Sequence, residues 1–217
     1  MKKLLVVALA IITAFSCFSM VACGGGSKED ATIDGITYTY SEDLKGYVVS
    51  SYEGSETKVV IKDKVNGANV VEIGKNSFKG NKTITEVTLP NTIVTINDRA
   101  FETCTKLAKI NFEEGLKTIG VNTFAGCFAL TEVSFPKSLA EIKISAFDGC
   151  VTLTRIRYAG LKEQFNTTGG PFHNGALKIA VTAFDGAPVE LVICADGSFN
   201  NANNNEVDMI LGKPQIR

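Results

Sequence analysis

Ile96-Asn97-Asp98-Arg99-Ala100-Phe101-Glu102-Thr103-Cys104-Thr105-Lys106-Leu107-Ala108-Lys109-Ile110-Asn111-Phe112 is the stretch that decides the fold, because its apolar positions recur along the chain at one fixed interval. Phe101 has counterparts at Phe78, Phe124 and Phe147, each 23 residues from the next. Leu107 keeps that interval with Ile84, Leu130 and Leu153, Ile110 with Val87, Val133 and Ile156, and Phe112 with Leu89, Phe135 and Tyr158. The last two columns are two residues apart, an alternation that puts both side chains on one face of a strand. A second apolar pair follows in each unit (Ile93 and Ile96, Leu116 and Ile119, Leu139 and Ile142), giving another inward-facing segment before the next ring. Ser77, Ala100, Thr123 and Ala146 are small residues beside a large ring, and Gly80, Gly126 and Gly149 relax the backbone at the following corner. Pro90 and Pro136 end the first strand, where no ladder donor is wanted.

One such unit cannot bury its own apolar face, whereas stacked units cover each column with the same column above and below. The expected product is an elongated solenoid that grows by roughly 4.8 Å per turn, the spacing of paired strands. Four unrelated amphipathic strands in a sandwich would have to agree, column by column, by chance.

The columns L-x-x-I-x-F follow the leucine-rich-repeat strand pattern. The run from Ile96 through Ala100-Phe101, Cys104, Leu107, Ile110 and Phe112 resembles the unit of the BspA-like leucine-rich-repeat surface proteins, I-x-x-x-A-F-x-x-C-x-x-L-x-x-I-x-L-P. The flanks are similar to that family as well. Asp34-Gly35-Ile36-Thr37-Tyr38, Tyr52-Glu53-Gly54, Val60-Ile61 and Asn66-Gly67 resemble its N-terminal hairpin cap. Arg157-Tyr158-Ala159-Gly160 with Gln164-Phe165, and Val192-Ile193-Cys194-Ala195-Asp196-Gly197, resemble its closing segments. The resemblance implies a mainly β, right-handed leucine-rich-repeat solenoid of 23-residue units with short parallel strands, capped at both ends. On this reading residues 31–72 are the N-terminal hairpin cap, 73–165 the repeats and 166–217 the C-terminal cap and tail. Asn81 stands where the cysteine column would begin, Glu113 replaces a strand-ending proline, and the asparagine ladder of the general leucine-rich pattern is absent. For function the resemblance implies attachment, to host matrix glycoproteins or to other microbes.

Upstream of the repeats, Lys2 and Lys3 precede an apolar run from Leu4 to Phe15, and Ser19-Met20-Val21-Ala22-Cys23 closes it, the layout of a secretory signal over residues 1–22. Val21-Ala22-Cys23 resembles the lipobox of bacterial lipoproteins, which implies a lipid on Cys23; an ordinary cleaved signal is the other possibility, and Met20 departs from the usual leucine. Gly24-Gly25-Gly26-Ser27-Lys28-Glu29-Asp30 reads as a flexible solvated tether, so that 23–30 is the anchor and spacer of a domain at the bacterial cell surface. Losing residues 1–22 leaves 20 basic against 23 acidic side chains, a formal charge of about −3 with the signs interspersed. A nucleic-acid-binding protein would show a basic excess on some face, and none is expected.

Chemistry-bearing residues are scarce. Cys104, Cys127 and Cys150 recur at the repeat interval, and buried small-hydrophobe packing accounts for them better than a metal site, which would call for a close C-x-x-C pair. Disulfides are open to a secreted chain, yet three in a row leave one unpaired, and Cys194 reads as a buried cap residue. His173, the sole histidine, lies in the loop-like Gly169-Gly170-Pro171-Phe172-His173-Asn174-Gly175 with no nucleophile motif beside it. No catalytic residue, metal ligand or cofactor is expected.

The outward strand positions carry more. Glu86, Lys109, Glu132 and Arg155 form one column of alternating sign, which reads either as a stabilising charge ladder or as a ligand contact. The neighbouring column is Thr88, Asn111, Ser134 and Arg157. A flat polar strand face of this kind suits an extracellular protein or glycan, with Arg155 and Arg157 as its strongest anchors. Binding without turnover is the expectation. An envelope spacer or assembly subunit is the alternative, and a glycan-active enzyme using carboxylates of the solenoid face is the third.

Overall fold

A computed structural model of the chain describes residues 28–167, 177–180, 182–200, 207 and 211; the leader, Cys23, His173 and the asparagine run at 201–205 lie outside them. β1 (Ala31–Ile33), β2 (Ile36–Ser41) and β3 (Gly46–Tyr52) make an antiparallel meander. β4 (Lys58–Val60) follows, then β5 (Lys64–Val65), which turns at Asn66-Gly67 into β6 (Ala68–Ile73), parallel to β3. The repeats supply β7 (Glu86–Thr88), β8 (Thr95–Ile96), β9 (Lys109–Ile110), β10 (Thr118–Ile119), β11 (Glu132–Phe135), β12 (Glu141–Ile142) and β13 (Arg155–Tyr158). A 3₁₀ turn at Lys162–Gln164 leads to β14 (Phe165–Thr167), β15 (Leu177–Ile179), β16 (Leu191–Cys194) and β17 (Gly197–Asn200).

Two strand columns run through this order. Ile73, Ile96, Ile119, Ile142 and Ile179 pair in parallel register across β6, β8, β10, β12 and β15, one unbroken column. The other column is in two pieces: Val59, Val87 and Ile110 pair across β4, β7 and β9, while Val133, Ile156 and Val192 pair across β11, β13 and β16. The continuous strand face expected from the sequence is therefore interrupted between β9 and β11. Along β11 and β13 burial alternates residue by residue, with Val133, Phe135, Ile156 and Tyr158 inside and Ser134, Arg155 and Arg157 outside.

The turns between the columns form a third ladder. The Phe78 N–H donates to the Ala100 carbonyl at 2.8 Å, Phe101 to Thr123 at 2.8 Å, Phe124 to Ala146 at 2.7 Å and Phe147 to Ala183 at 2.7 Å. Coils are thus hydrogen-bonded to their neighbours on three sides, except across the break between β9 and β11, where the split column contributes no strand pairing.

Inside, the phenylalanines stand in single file. Successive ring centroids from Phe78 through Phe101, Phe124 and Phe147 are 4.8, 5.3 and 5.1 Å apart, with planes within 15° of parallel. Tyr52 tilts against Phe78 at one end, and at the other the file continues to Phe184, 5.0 Å beyond Phe147. Phe112 and Phe135 stack on each other at 5.6 Å and meet Phe124 and Phe147 edge-on. Pairs of this geometry contribute about 0.5–1.5 kcal/mol each beyond their burial. Phe184 lies 37 residues after Phe147, so the 23-residue spacing does not reach it; the extra length carries β14, which sits outside β15 in the sheet.

Two residues after each ring the backbone enters the left-handed region: Gly80 at φ 75°, Thr103 at 57°, Gly126 at 72°, Gly149 at 65° and Gly186 at 70°. Thr103 is the exception, a β-branched residue in a conformation that costs L-residues roughly 1–2 kcal/mol. Its side chain is exposed, so removing it sacrifices little packing. Thr103→Gly is predicted to stabilise the chain by about 1 kcal/mol. A rise in melting temperature is the expected reading, and a fall would show that the turn is not strained there.

Candidate binding surface

The outward positions of the split column gather the residues singled out from the sequence into two ionic groups. In the first, Glu86 lies between Lys109 and Lys58, at 2.8 and 3.3 Å. In the second, Arg155 Nη1 donates to Glu132 Oε2 at 3.1 Å and Arg157 Nε donates to Glu132 Oε1 at 2.7 Å. The register produces both, because Glu86 is paired with Lys58 and Lys109, Glu132 with Arg155, and Ser134 with Arg157. The charge ladder is present within each piece. Hydrogen bonds from Lys109 and then Lys58 hold the Glu86 carboxyl below its ordinary range, and bonds from Arg157 and then Arg155 do the same to Glu132.

Thr88 and Ser134 are exposed on the same face. Asn111 is engaged differently. Its Oδ1 accepts from the Leu89 N–H at 2.7 Å, and its Nδ2 donates to the Leu89 carbonyl at 3.1 Å and to Glu113 Oε1 at 2.6 Å. The carboxamide mimics a peptide group and ties β7 to the coil of β9. Glu113, at the position where Pro136 stands one coil later, supplies the acceptor that fixes the amide's orientation. The neighbouring Glu114 reaches across the interruption and accepts from the backbone N–H groups of Lys137 and Ser138 at 3.0 and 3.1 Å. Side chains therefore stitch the two pieces together where strand pairing stops.

Three residues of this face escaped the reading of the columns. Lys58 precedes Glu86 by 28 residues, and Leu191 and Ile193 follow Arg155 and Arg157 by 36, so the 23-residue count misses all three. Leu191 pairs with Arg155 and Ile193 with Arg157. Of the three, only Ile193 lies in a motif of the sequence, the closing segment from Val192 to Gly197. A separate groove of about 460 Å³ lies beside β4, bounded by Ile36, Tyr52, Val59 and the Lys62–Asp34 pair.

The cysteine column packs as core. Cys104, Cys127 and Cys150 are fully buried, and each thiol donates to the carbonyl of a phenylalanine on the preceding coil: Phe78 at 3.1 Å, Phe101 at 3.3 Å and Phe124 at 3.2 Å. Burial pushes the Cys104 and Cys150 thiols up to about 12, and Cys127 well above the ordinary thiol range. Cys194 is also buried, with its thiol pushed up to about 11. Since the thiolate is the nucleophile and the ligand, these groups are poorly suited to either role. A thiol-alkylating reagent at neutral pH should leave all four unmodified in the folded chain and modify them once the chain is denatured. Rapid labelling of any of the four in the native state, read by peptide mass, would contradict their burial.

Glu132 gives a pH signature. A carboxyl held lower in the folded than in the unfolded chain contributes stability above its unfolded pKa and loses it as pH falls through the folded value. Glu132→Gln should therefore lower stability at neutral pH by about 0.2–1 kcal/mol. The difference from wild type should close below about pH 4. A gap that persists at low pH would mean that packing, and not charge, is what Glu132 supplies.

The family model for the BspA type leucine rich repeat region matches residues 55–169 with six copies. A leucine rich cell surface protein from Faecalibacterium prausnitzii is similar in structure, with a TM-score of 0.59 and 19% identity over 88% of this chain. The match covers 44% of that protein, so the chain spans less than half its length. A leucine-rich repeat protein from Bacteroides capillosus matches with a TM-score of 0.55 and 24% identity over 61% of this chain and 99% of its own. The leucine rich repeat protein of T. pallidum gives a TM-score of 0.51 and 24% identity over 70% of this chain and 81% of its own. No curated protein sequence matches the chain. At these identities the structures speak for the fold alone, while the family model covers more than half of the chain, in a region that runs from before β4 to just past β14. The chain belongs to the BspA-type leucine-rich-repeat family.

Proposed function

We propose that the chain is a surface-tethered recognition module that binds an extracellular protein or glycan through the outward face of its split strand column, without turnover. Cys23 carries the lipid that holds it at the bacterial cell surface, and the glycine-rich residues after it give reach. The observation that carries this reading is the contrast between the two sides of the same strands. Every inward position of β11 and β13 is buried, while Ser134 stands outward on β11 and Arg155 and Arg157 stand outward on β13, whose backbone is paired with β11 on one side and β16 on the other. Such a face presents side chains that have little left to order on binding, which is what preorganised recognition requires. The similar Faecalibacterium protein is a cell surface protein, which is in keeping with this location.

The test is binding of the full-length secreted chain to immobilised matrix proteins and to whole microbial cells. Saturable binding is expected. Placing a bulky ring on the face, as in Thr88→Tyr with Ser134→Tyr, or truncating the anchors, as in Arg155→Ala with Arg157→Ala, should weaken it about tenfold or more. Fractionation of cells expressing Cys23→Ser should find the protein released from the membrane. Absence of saturable binding to either target, together with crosslinks on intact cells only to itself or to wall components, would replace recognition with an envelope spacer role.

A further inference from the structure

The second ionic group narrows the class of ligand. One carboxylate, Glu132, serves two guanidinium groups, so the trio keeps a surplus positive charge. Each arginine has five N–H donors in a planar fork, and the bonds to Glu132 use one from each. Both side chains are about half exposed, at 48% and 49%, and among the described residues no other carboxylate forms an ion pair with either. The same imbalance runs along the face. Its paired column positions hold Lys58, Lys109, Arg155 and Arg157 against Glu86 and Glu132, an excess of two positive charges on a chain whose formal net charge is −1.

The next coil changes character. Leu191 and Ile193 occupy the positions beside Arg155 and Arg157 and are only half-buried, so an apolar ledge adjoins the two cations. The spacing matters as well. Arg155 and Arg157, like Leu191 and Ile193, are two residues apart on a strand, roughly 6.7 Å. That is also the separation of side chains that share one face of an extended polypeptide, so carboxylates at alternate positions of such a segment fall in step with the two forks.

We infer that Arg155 and Arg157, together with the ledge of Leu191 and Ile193, dock an extended acidic segment of a partner protein. The segment lies edge-on above β13 and β16, so that its carboxylate side chains turn to the guanidinium forks and the alternate, apolar side chains turn to the ledge. This rests on the recognition reading above and names the ligand class for that face. A sulfated or uronate-rich glycan would satisfy the cations but would have no use for two aliphatic side chains beside them, and the ledge is what favours protein. Charge-assisted, bidentate contacts of this kind are the strong members of their class and discriminate by geometry as well as by sign.

The experiment measures binding of the full-length secreted chain to a fluorescent peptide alternating glutamate with valine. Controls are the same peptide with glutamine for glutamate, and dextran sulfate as a glycan-like polyanion. The glutamate peptide should bind and weaken with added salt, since exposed charges are screened over about 8 Å at physiological ionic strength. Arg155→Gln with Arg157→Gln should cost about tenfold or more in Kd. Arg155→Lys with Arg157→Lys should fall between, because charge is kept and the fork is lost. Leu191→Ser with Ile193→Ser should also weaken the peptide while leaving dextran sulfate unaffected. Comparing the two peptides on the unaltered chain needs no variant to fold, and equal binding of both would overturn the inference. So would arginine-dependent binding of dextran sulfate with none of the peptide. If the peptide fails while cells or matrix proteins still bind and the tyrosine substitutions still block them, recognition stands and the acidic-segment inference falls. If nothing binds, both fall.

Discussion

A coil of 23 residues encloses no interior, and every apolar side chain it turns inward is covered by the same position of the coils on either side. Parallel register is therefore the constraint on which the rest depends. It explains why the buried columns are so uniform. A phenylalanine that must lie flat between two others tolerates neither a smaller ring nor a displaced one, and the file from Phe78 to Phe184 keeps centroid spacings between 4.8 and 5.3 Å. It also explains the thiols. A side chain at the cysteine position faces the carbonyl of a phenylalanine one coil back, and an S–H group is small enough to fit and able to donate.

The same constraint organises the outside. Side chains stacked at strand spacing feel their neighbours' charge directly, so a carboxylate between two cations is held well and two like charges are not. Glu86 takes that central place between Lys58 and Lys109, and Glu132 reaches two arginines of the one following coil. Exposure keeps the individual energies small, and the arrangement matters more for what it presents than for what it stabilises. It leaves a cation-rich strip on a rigid backbone, ending beside an aliphatic ledge.

Where the register is imperfect, side chains take over the work of the backbone. Between β9 and β11 the strand pairing stops, and Glu114 bonds to main-chain groups of the following coil in its place, while Asn111 braces the β9 side against the Leu89 backbone. Asn111 stands in a column that otherwise reads as a row of outward polar contacts, yet its carboxamide faces the Leu89 backbone. A residue type that competes so readily for backbone partners is hard to place from spacing alone, because solvent and main chain offer it equivalent bonds.

Much of this molecule is written in one dimension. The interval between Phe78, Phe101, Phe124 and Phe147, the inward pairs such as Val133 with Phe135, and the alternation of Glu86, Lys109, Glu132 and Arg155 each follow from covalent spacing, and chain distance converts directly into stacking when every coil has equal length. What the tertiary structure decided begins where lengths become unequal. Lys58, Phe184, Leu191 and Ile193 join their columns across gaps of 28, 37 and 36 residues, because an insertion loops out without disturbing the register of the coils it separates. Stacking is enforced by contact and hydrogen bonding through space, and a period counted along the chain stops reporting on it at the first irregular turn.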